Sequence, residues 1–402
     1  MKIKKSISLQ WILVAVALLF SLEGCGQAGH SRIVPGAERT QEYLPLLRNS
    51  KVAVVANPAS RMGGQHLVDS LLALGVKVKK IFSPEHGFRG KADAGEKVKS
   101  GIDSQTGLPI VSLYGKHKKP YDVDLQGIDQ VVFDLQDVGA RFYTYISTLH
   151  YVMEACAENG IPVLVLDRPN PNAFYIDGPV LKPEYSSFVG MHPVPVVYGM
   201  SIGEYAQMIN GEGWLKDGIQ CELTVIPCGN WNHQKEYALP IKPSPNLPNA
   251  TSVILYPSLC FFEGTVVSAG RGTDFPFQCF GHPGMRNTSF SYTPRSIEGA
   301  SKYPKFKGKK CFGYDLRKNE TEGIRSRRRL NLSYLIGAYH SMENREKFFN
   351  PFFEKLAGTG ELRKQIQKGM SEQEIRKSWQ ADLKKFKSIR KKYLLYSDSN
   401  QN

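Results

Sequence analysis

The stretch QVVFDLQDVGARFYTYISTLHYVMEACAENGIPVLVL, Gln130–Leu166, decides the fold. It opens and closes on apolar runs, QVVFDL (Gln130–Leu135) and IPVLVL (Ile161–Leu166). Between them Thr144–Asn159 reads as a helix closed by Gly160. Two near-continuous apolar strands joined by a helix imply neighbours in a parallel sheet that is covered on both faces. The pattern repeats upstream. KVAVVA (Lys51–Ala56) is a strand, His66–Leu74 a helix ended by Gly75, and Val76–Phe82 a second strand. Alternation of this kind predicts an α/β fold with a Rossmann-like, mostly parallel sheet.

After about Pro179 the texture changes. Gly203–Asn210 reads as a helix, Glu222–Pro227 and Ser252–Tyr256 as strands, with many loops between. The expected organisation is a linker and first short helix over 26–49, a Rossmann-like catalytic domain over 50–180, and a second α+β domain over 181–402. That second domain ends in a basic, helical Glu361–Leu395, and the active site is expected in the cleft between the domains.

The first residues read differently. Lys2, Lys4 and Lys5 precede the apolar run Trp11–Phe20, which describes an export signal over 1–25. The run is shorter than the roughly 20 apolar residues of a membrane span. The segment ends SLEGC, Ser21–Cys25, and Gly before Cys resembles the lipobox of bacterial lipoproteins. Cys25 is therefore the expected lipidation site, and a periplasmic or outer-membrane-anchored lipoprotein the expected location. Glu23 departs from the small or apolar residue usual there.

Six cysteines remain: Cys156, Cys221, Cys228, Cys260, Cys279 and Cys311. An oxidising compartment permits disulfides. Cys156 and Cys260 sit among apolar neighbours and read as buried thiols. No Cys or His spacing suits a metal, and none is expected. The net charge is +15, concentrated in Lys302–Lys310, Arg325–Arg329 and Lys384–Lys392. No nucleic-acid-binding motif accompanies it. An anionic envelope surface or an acidic polymer fits the charge better.

Ligands of open parallel sheets bind beyond the carboxyl ends of the strands. Each predicted strand runs into a polar loop: Asn57-Pro58-Ala59-Ser60, SPEHGFRG (Ser83–Gly90), Gln136–Arg141 and Asp167–Pro171. Four such loops on one sheet edge build a rim. A structural turn needs Pro and Gly, but not Glu85, His86 and Arg89 together. The G-x-G-x-x-G fingerprint, the P-loop and the G-x-S-x-G elbow are missing, so neither a nucleotide cofactor nor an α/β-hydrolase triad is expected.

The rim supplies carboxylates, Glu85, Asp93, Glu96, Asp134, Asp137 and Asp167, and few activated nucleophiles. Carboxylates with Arg, Tyr and Asn suit glycoside cleavage, in which one carboxylic acid protonates the leaving oxygen. Tyr143 and Tyr145 are candidates to bond hydroxyls or stack on a sugar ring. Asn170 and Asn246 are further hydroxyl ligands, and Glu263 is a second carboxylate for the cleft.

At these residues the chain resembles the NamZ-type exo-β-N-acetylmuramidases. The resemblance rests on SPEHGFRG, ADAGE (Ala92–Glu96), TGLPIVSLYG (Thr106–Gly115), FDLQDVGARFYTYIST (Phe133–Thr148), LDRPNP (Leu166–Pro171), SPNLP (Ser244–Pro248), YPSLCFFEGT (Tyr256–Thr265) and GRGTDFPF (Gly270–Phe277). It runs from Gly36 to Tyr396. It implies a Rossmann-like domain plus a second α/β domain, and release of terminal N-acetylmuramic acid from the non-reducing end of peptidoglycan fragments. It also implies Glu85 as catalytic residue, with His86 and Asp137 as further catalytic candidates. Muramic acid carries a lactyl carboxylate. Arg89, Arg141 and Arg271 are its candidate partners, since Arg forks onto carboxylates. The competing reading is a non-catalytic envelope lipoprotein that binds peptidoglycan or sugars.

Overall fold

The computed structural model describes residues 32–85, 87–89, 100–286, 288–318 and 320–399. His86, Asp93, Glu96 and Cys25 lie outside the described residues. Val34–Asn402 form one compact unit.

Its centre is a seven-stranded sheet. The strands are β1 (Lys51–Ala56), β4 (Lys77–Ser83), β5 (Gly101–Ile102), β6 (Pro109–Ser112), β7 (Gln130–Asp134), β8 (Val163–Leu166) and β9 (Leu223–Ile226), with a two-stranded ribbon β2 (Arg61–Met62) and β3 (Gln65–His66) between β1 and β4. The spatial order is β5-β6-β4-β1-β7-β8-β9. All neighbours are parallel except β5 and β6. Leaving out β5, this is the doubly wound order, in which the chain moves outward on one side of β1 and then on the other. Val52–Ala56, all of β7 and all of β8 are buried, as the apolar runs at their centres require. A smaller antiparallel sheet follows, β10 (Cys279–His282), β12 (Cys311–Asp315) and β11 (Phe290–Tyr292) in that order.

Two expectations change. Leu223–Ile226 is a strand, but it pairs in parallel with β8 and extends the first sheet. The boundary at 180/181 is therefore too early. Ser252–Tyr256 is not a strand but part of the helix Ala250–Leu259. Asn249 caps it, its side-chain oxygen accepting from Ser252 N at 3.0 Å. Ser252–Leu259 are all buried, and a helix covered on every side shows no amphipathic period, so a short apolar run fits either element.

The two halves are tied by buried polar groups. Arg141 is fully buried. Its guanidinium donates to the carbonyls of Pro179 (2.8 Å), Val194 (2.7 Å), Leu356 (2.9 Å) and Ala357 (2.8 Å). Gly358 follows at φ +73°, and a Cβ there would stand 2.6 Å from Arg141 Nη2. The chain's last described segment returns to the first sheet. Tyr396 Oη donates to Asp167 Oδ2 at 2.5 Å, and the backbone N–H groups of Leu395 and Tyr396 donate to Glu204 Oε1.

Candidate active site

Glu85 stands two residues beyond β4 at the carboxyl edge of the sheet. The chain turns there on Pro84, with Gly87 N donating to Pro84 O at 3.2 Å and Gly87 at φ +78°, a region that glycine enters without strain. Tyr114 Oη donates to Glu85 Oε1 at 3.0 Å, and Thr144 Oγ1 to Oε2 at 3.4 Å. Tyr114 follows β6, the neighbour of β4, and Thr144 precedes the helix Tyr145–Glu158. Burial, and then the Glu85 charge, push the Tyr114 hydroxyl well up, so it stays a donor.

Glu85 opens onto a cavity of about 790 Å³. Tyr114 and Thr144 line it from the first half, and Tyr256, Glu263, Arg271 and Lys302 from the second. Glu263 and Arg271 form an ion pair, Nε to Oε1 3.2 Å, with side chains 25% and 28% exposed. Arg271 also lies 5.0 Å from the Phe277 ring centre. A narrow throat of about 70 Å³, walled by Glu85, Tyr143, Tyr145, Asn246 and Arg271, shares wall residues with this cavity and with a second lobe of about 510 Å³.

In the throat, Tyr143 Oη donates to Pro243 O at 2.7 Å and Tyr145 Oη accepts from Asn57 Nδ2 at 2.7 Å. Asn246 is 2% exposed. Its Nδ2 donates to Ala300 O at 2.7 Å, which fixes the amide's orientation; among the described residues its Oδ1 has no partner.

The structure thus brings together Glu85, Glu263, Arg271, Tyr143, Tyr145 and Asn246. Other expected site residues lie elsewhere. Asp137 is buried behind the tyrosines, its Oδ2 accepting from Gly139 N at 2.8 Å and from Tyr198 Oη. Burial pushes it up to about 6, against those hydrogen bonds. Arg141 is the interior brace described above, since its two terminal nitrogens donate to four backbone carbonyls. Asn170 is buried, bonded to Met200 O and Asn172 N. Arg89 lines the second lobe, but two carboxylates hold it: Asp103 (2.7 and 2.8 Å) and Asp69 (2.9 and 3.2 Å). The hydrogen bond from Arg89 lowers Asp103 to about 2. Sequence reasoning missed Tyr114, Thr144, Tyr256 and Lys302. Tyr114 was within reach, because TGLPIVSLYG contains the strand β6 that delivers it.

A carboxyl held by two hydroxyls, a second carboxylate in an ion pair and a tyrosine wall, all lining one cleft, can transfer a proton and hold a polyhydroxylated ligand. On a doubly wound sheet with an α+β partner, this is a glycosidase class of protein. The chain belongs to the exo-β-N-acetylmuramidase NamZ family: residues 52–251 match the family's N-terminal domain and 254–396 its C-terminal domain. It is 40% identical over 377 residues to the peptidoglycan β-N-acetylmuramidase NamZ of Bacillus subtilis, a match covering 88% of this chain and 89% of that protein. Crystal structures of two DUF1343 family proteins from Bacteroides fragilis are also similar. One has a TM-score of 0.86 and 48% identity, covering 92% of this chain and all of that one. The other has a TM-score of 0.76 and 28% identity, covering 91% and 99%.

Proposed function

We propose that this protein is an exo-acting glycoside hydrolase that releases terminal N-acetylmuramic acid from the non-reducing end of peptidoglycan fragments, in cell-wall turnover. The observation that carries the reading is Glu85, held by Tyr114 and Thr144 over a cavity shared by both halves of a NamZ-family chain. Glu85 serves as the proton-transferring carboxyl. Tyr143, Tyr145 and Asn246 contact the ring substituents.

Arg271 reads the lactyl carboxylate. Arg89 is already neutralised by two aspartates and Arg141 is sealed in the interior, whereas Arg271 stands in the Glu85 cavity with one carboxylate partner. Five N–H donors suffice for a second. Lys302 adds positive charge to the same cavity. Export and anchoring through a lipid on Cys25 put the enzyme beside its polymer; Cys25→Ser should release it from the membrane fraction, and unchanged fractionation would remove the anchor.

The test is incubation with saccharides that end in N-acetylmuramic acid. Free muramic acid should appear, and chains ending in N-acetylglucosamine should stay intact. Binding of the saccharide without turnover would restore the reading as a non-catalytic lipoprotein.

A further inference from the structure

We infer that residues 297–303 build the leaving-group subsite, with Tyr303 as the platform on which the saccharide beyond the scissile bond stacks. The inference rests on the exo-muramidase reading and assigns the side of the cleft on which the departing chain lies.

This segment is a ridge between the two lobes. Ile297, Glu298 and Gly299 face the second lobe, Ser301, Lys302 and Tyr303 face the Glu85 cavity, and Ala300 lines both. The ridge is pinned. Backbone bonds join Ile297 N to Ser301 O (3.0 Å) and Ser301 N to Ile297 O (2.8 Å). Asn246 holds the Ala300 carbonyl. Two residues past Tyr303, Lys305 Nζ donates to the carbonyls of Phe262 (2.9 Å), Thr265 (2.8 Å) and Val267 (3.2 Å). Burial there lowers the Lys305 pKa.

On this fixed backbone the Tyr303 side chain is 82% exposed, the most exposed large apolar side chain among the described residues. A lone exposed aromatic needs no explanation. The position does. Four aromatic side chains are exposed among the described residues, Tyr121, Tyr303, Tyr314 and Phe352, and two of them, Tyr303 and Phe352, line the cavity that holds Glu85. The same cavity has a buried wall, Phe142 and Tyr256. An exo enzyme encloses the terminal sugar and leaves the rest of the chain outside. The buried wall therefore takes the muramic acid, and the exposed aromatic wall takes the leaving saccharide, whose C–H face covers apolar ring surface.

The test compares two substrates: the disaccharide N-acetylmuramyl-β-1,4-N-acetylglucosamine and the methyl β-glycoside of N-acetylmuramic acid, which has no sugar to stack. Tyr303→Ala should raise KM for the disaccharide by about 10-fold with kcat near wild type, as expected for contacts made equally in ground and transition states. KM for the methyl glycoside should stay put, and Tyr303→Trp should restore the disaccharide KM. An unchanged disaccharide KM, or equal losses on both substrates, would overturn the platform while leaving the activity standing. Failure of the wild-type protein to cleave either substrate would instead sink the activity, and the platform with it.

Discussion

Glu85 and Asp137 both follow strands of the same parallel sheet, and both read from sequence as rim carboxylates. Their surroundings differ. The loop of Asp137 is overlaid by later chain: Gln136 Nε2 donates to Pro169 O and Asn172 Nδ2 to Val138 O, and Tyr198 closes on the carboxylate itself. The loop of Glu85 lies toward the other side of the sheet, where Tyr114 and Thr144 grip the carboxyl and a cavity stands in front of it. A strand's carboxyl end makes a residue eligible for the site. What covers the loop decides whether it takes part.

The contrast can be broken most severely at Glu85. Glu85→Gln keeps the hydrogen-bond acceptor but cannot transfer a proton, so kcat should fall at least about 100-fold with unfolding midpoint unchanged. Near-normal turnover would end the distinction between the two carboxylates. Next in size is the brace. Arg141→Ala takes the donor from the buried carbonyls of Pro179, Leu356 and Ala357, while Val194 O keeps Leu181 N, and should lower stability by at least about 3 kcal/mol in denaturant titrations. Its preference for muramic acid over N-acetylglucosamine glycosides should be untouched; a lost preference would return Arg141 to the site. Arg271→Gln should do the reverse, reducing that preference by about 10- to 100-fold, the worth of a charged hydrogen bond, with little change in stability. Equal preference before and after would remove Arg271 from recognition.

The smallest effect on turnover is expected at Asp137. Asp137→Asn should stay within a few-fold of wild type. Its signature is pH. A carboxyl raised to about 6 in the fold binds its proton more tightly there than in the unfolded chain. The stability this contributes is present below about pH 4 and is lost as pH rises through 6. Relative to the Asn variant, the wild type should lose up to about 3 kcal/mol between pH 4 and 7. Asp167, also raised to about 6 by burial, tilts both proteins alike and cancels in the difference. Parallel pH curves for the two proteins would refute the burial argument.

The strands β1, β7 and β8 were legible because burial on both faces leaves near-continuous apolar sequence, and β4 because its apolar residues Val78, Ile81 and Phe82 are buried while Lys77 and Lys79 are exposed. β6 was not, because it is short, begins with Pro109 and has two half-buried residues. Missing it hid Tyr114. β9 alternates in exposure as an edge strand does, and nothing in such a pattern names its neighbour. At the site, residue type was legible and depth was not. Arg141 and Arg271 are alike in composition of their surroundings, yet one meets four backbone carbonyls and the other a single carboxylate. Glu263 and Asn246 could be placed because Gly- and Pro-shaped segments surround them. Cys156 and Cys260 are indeed buried thiols.

The bond from Tyr396 to Asp167 also sets a clock. The two residues are 229 positions apart, and a ribosome adds about 5–20 residues per second. Some 10–45 s therefore separate the emergence of the β8 edge from that of the hydroxyl that completes the bonds Asp167 already accepts from Ser201 and Gly203. During that interval the first sheet lacks its final clasp on Asp167 and Glu204, so the nascent chain is held short of its finished, closed form.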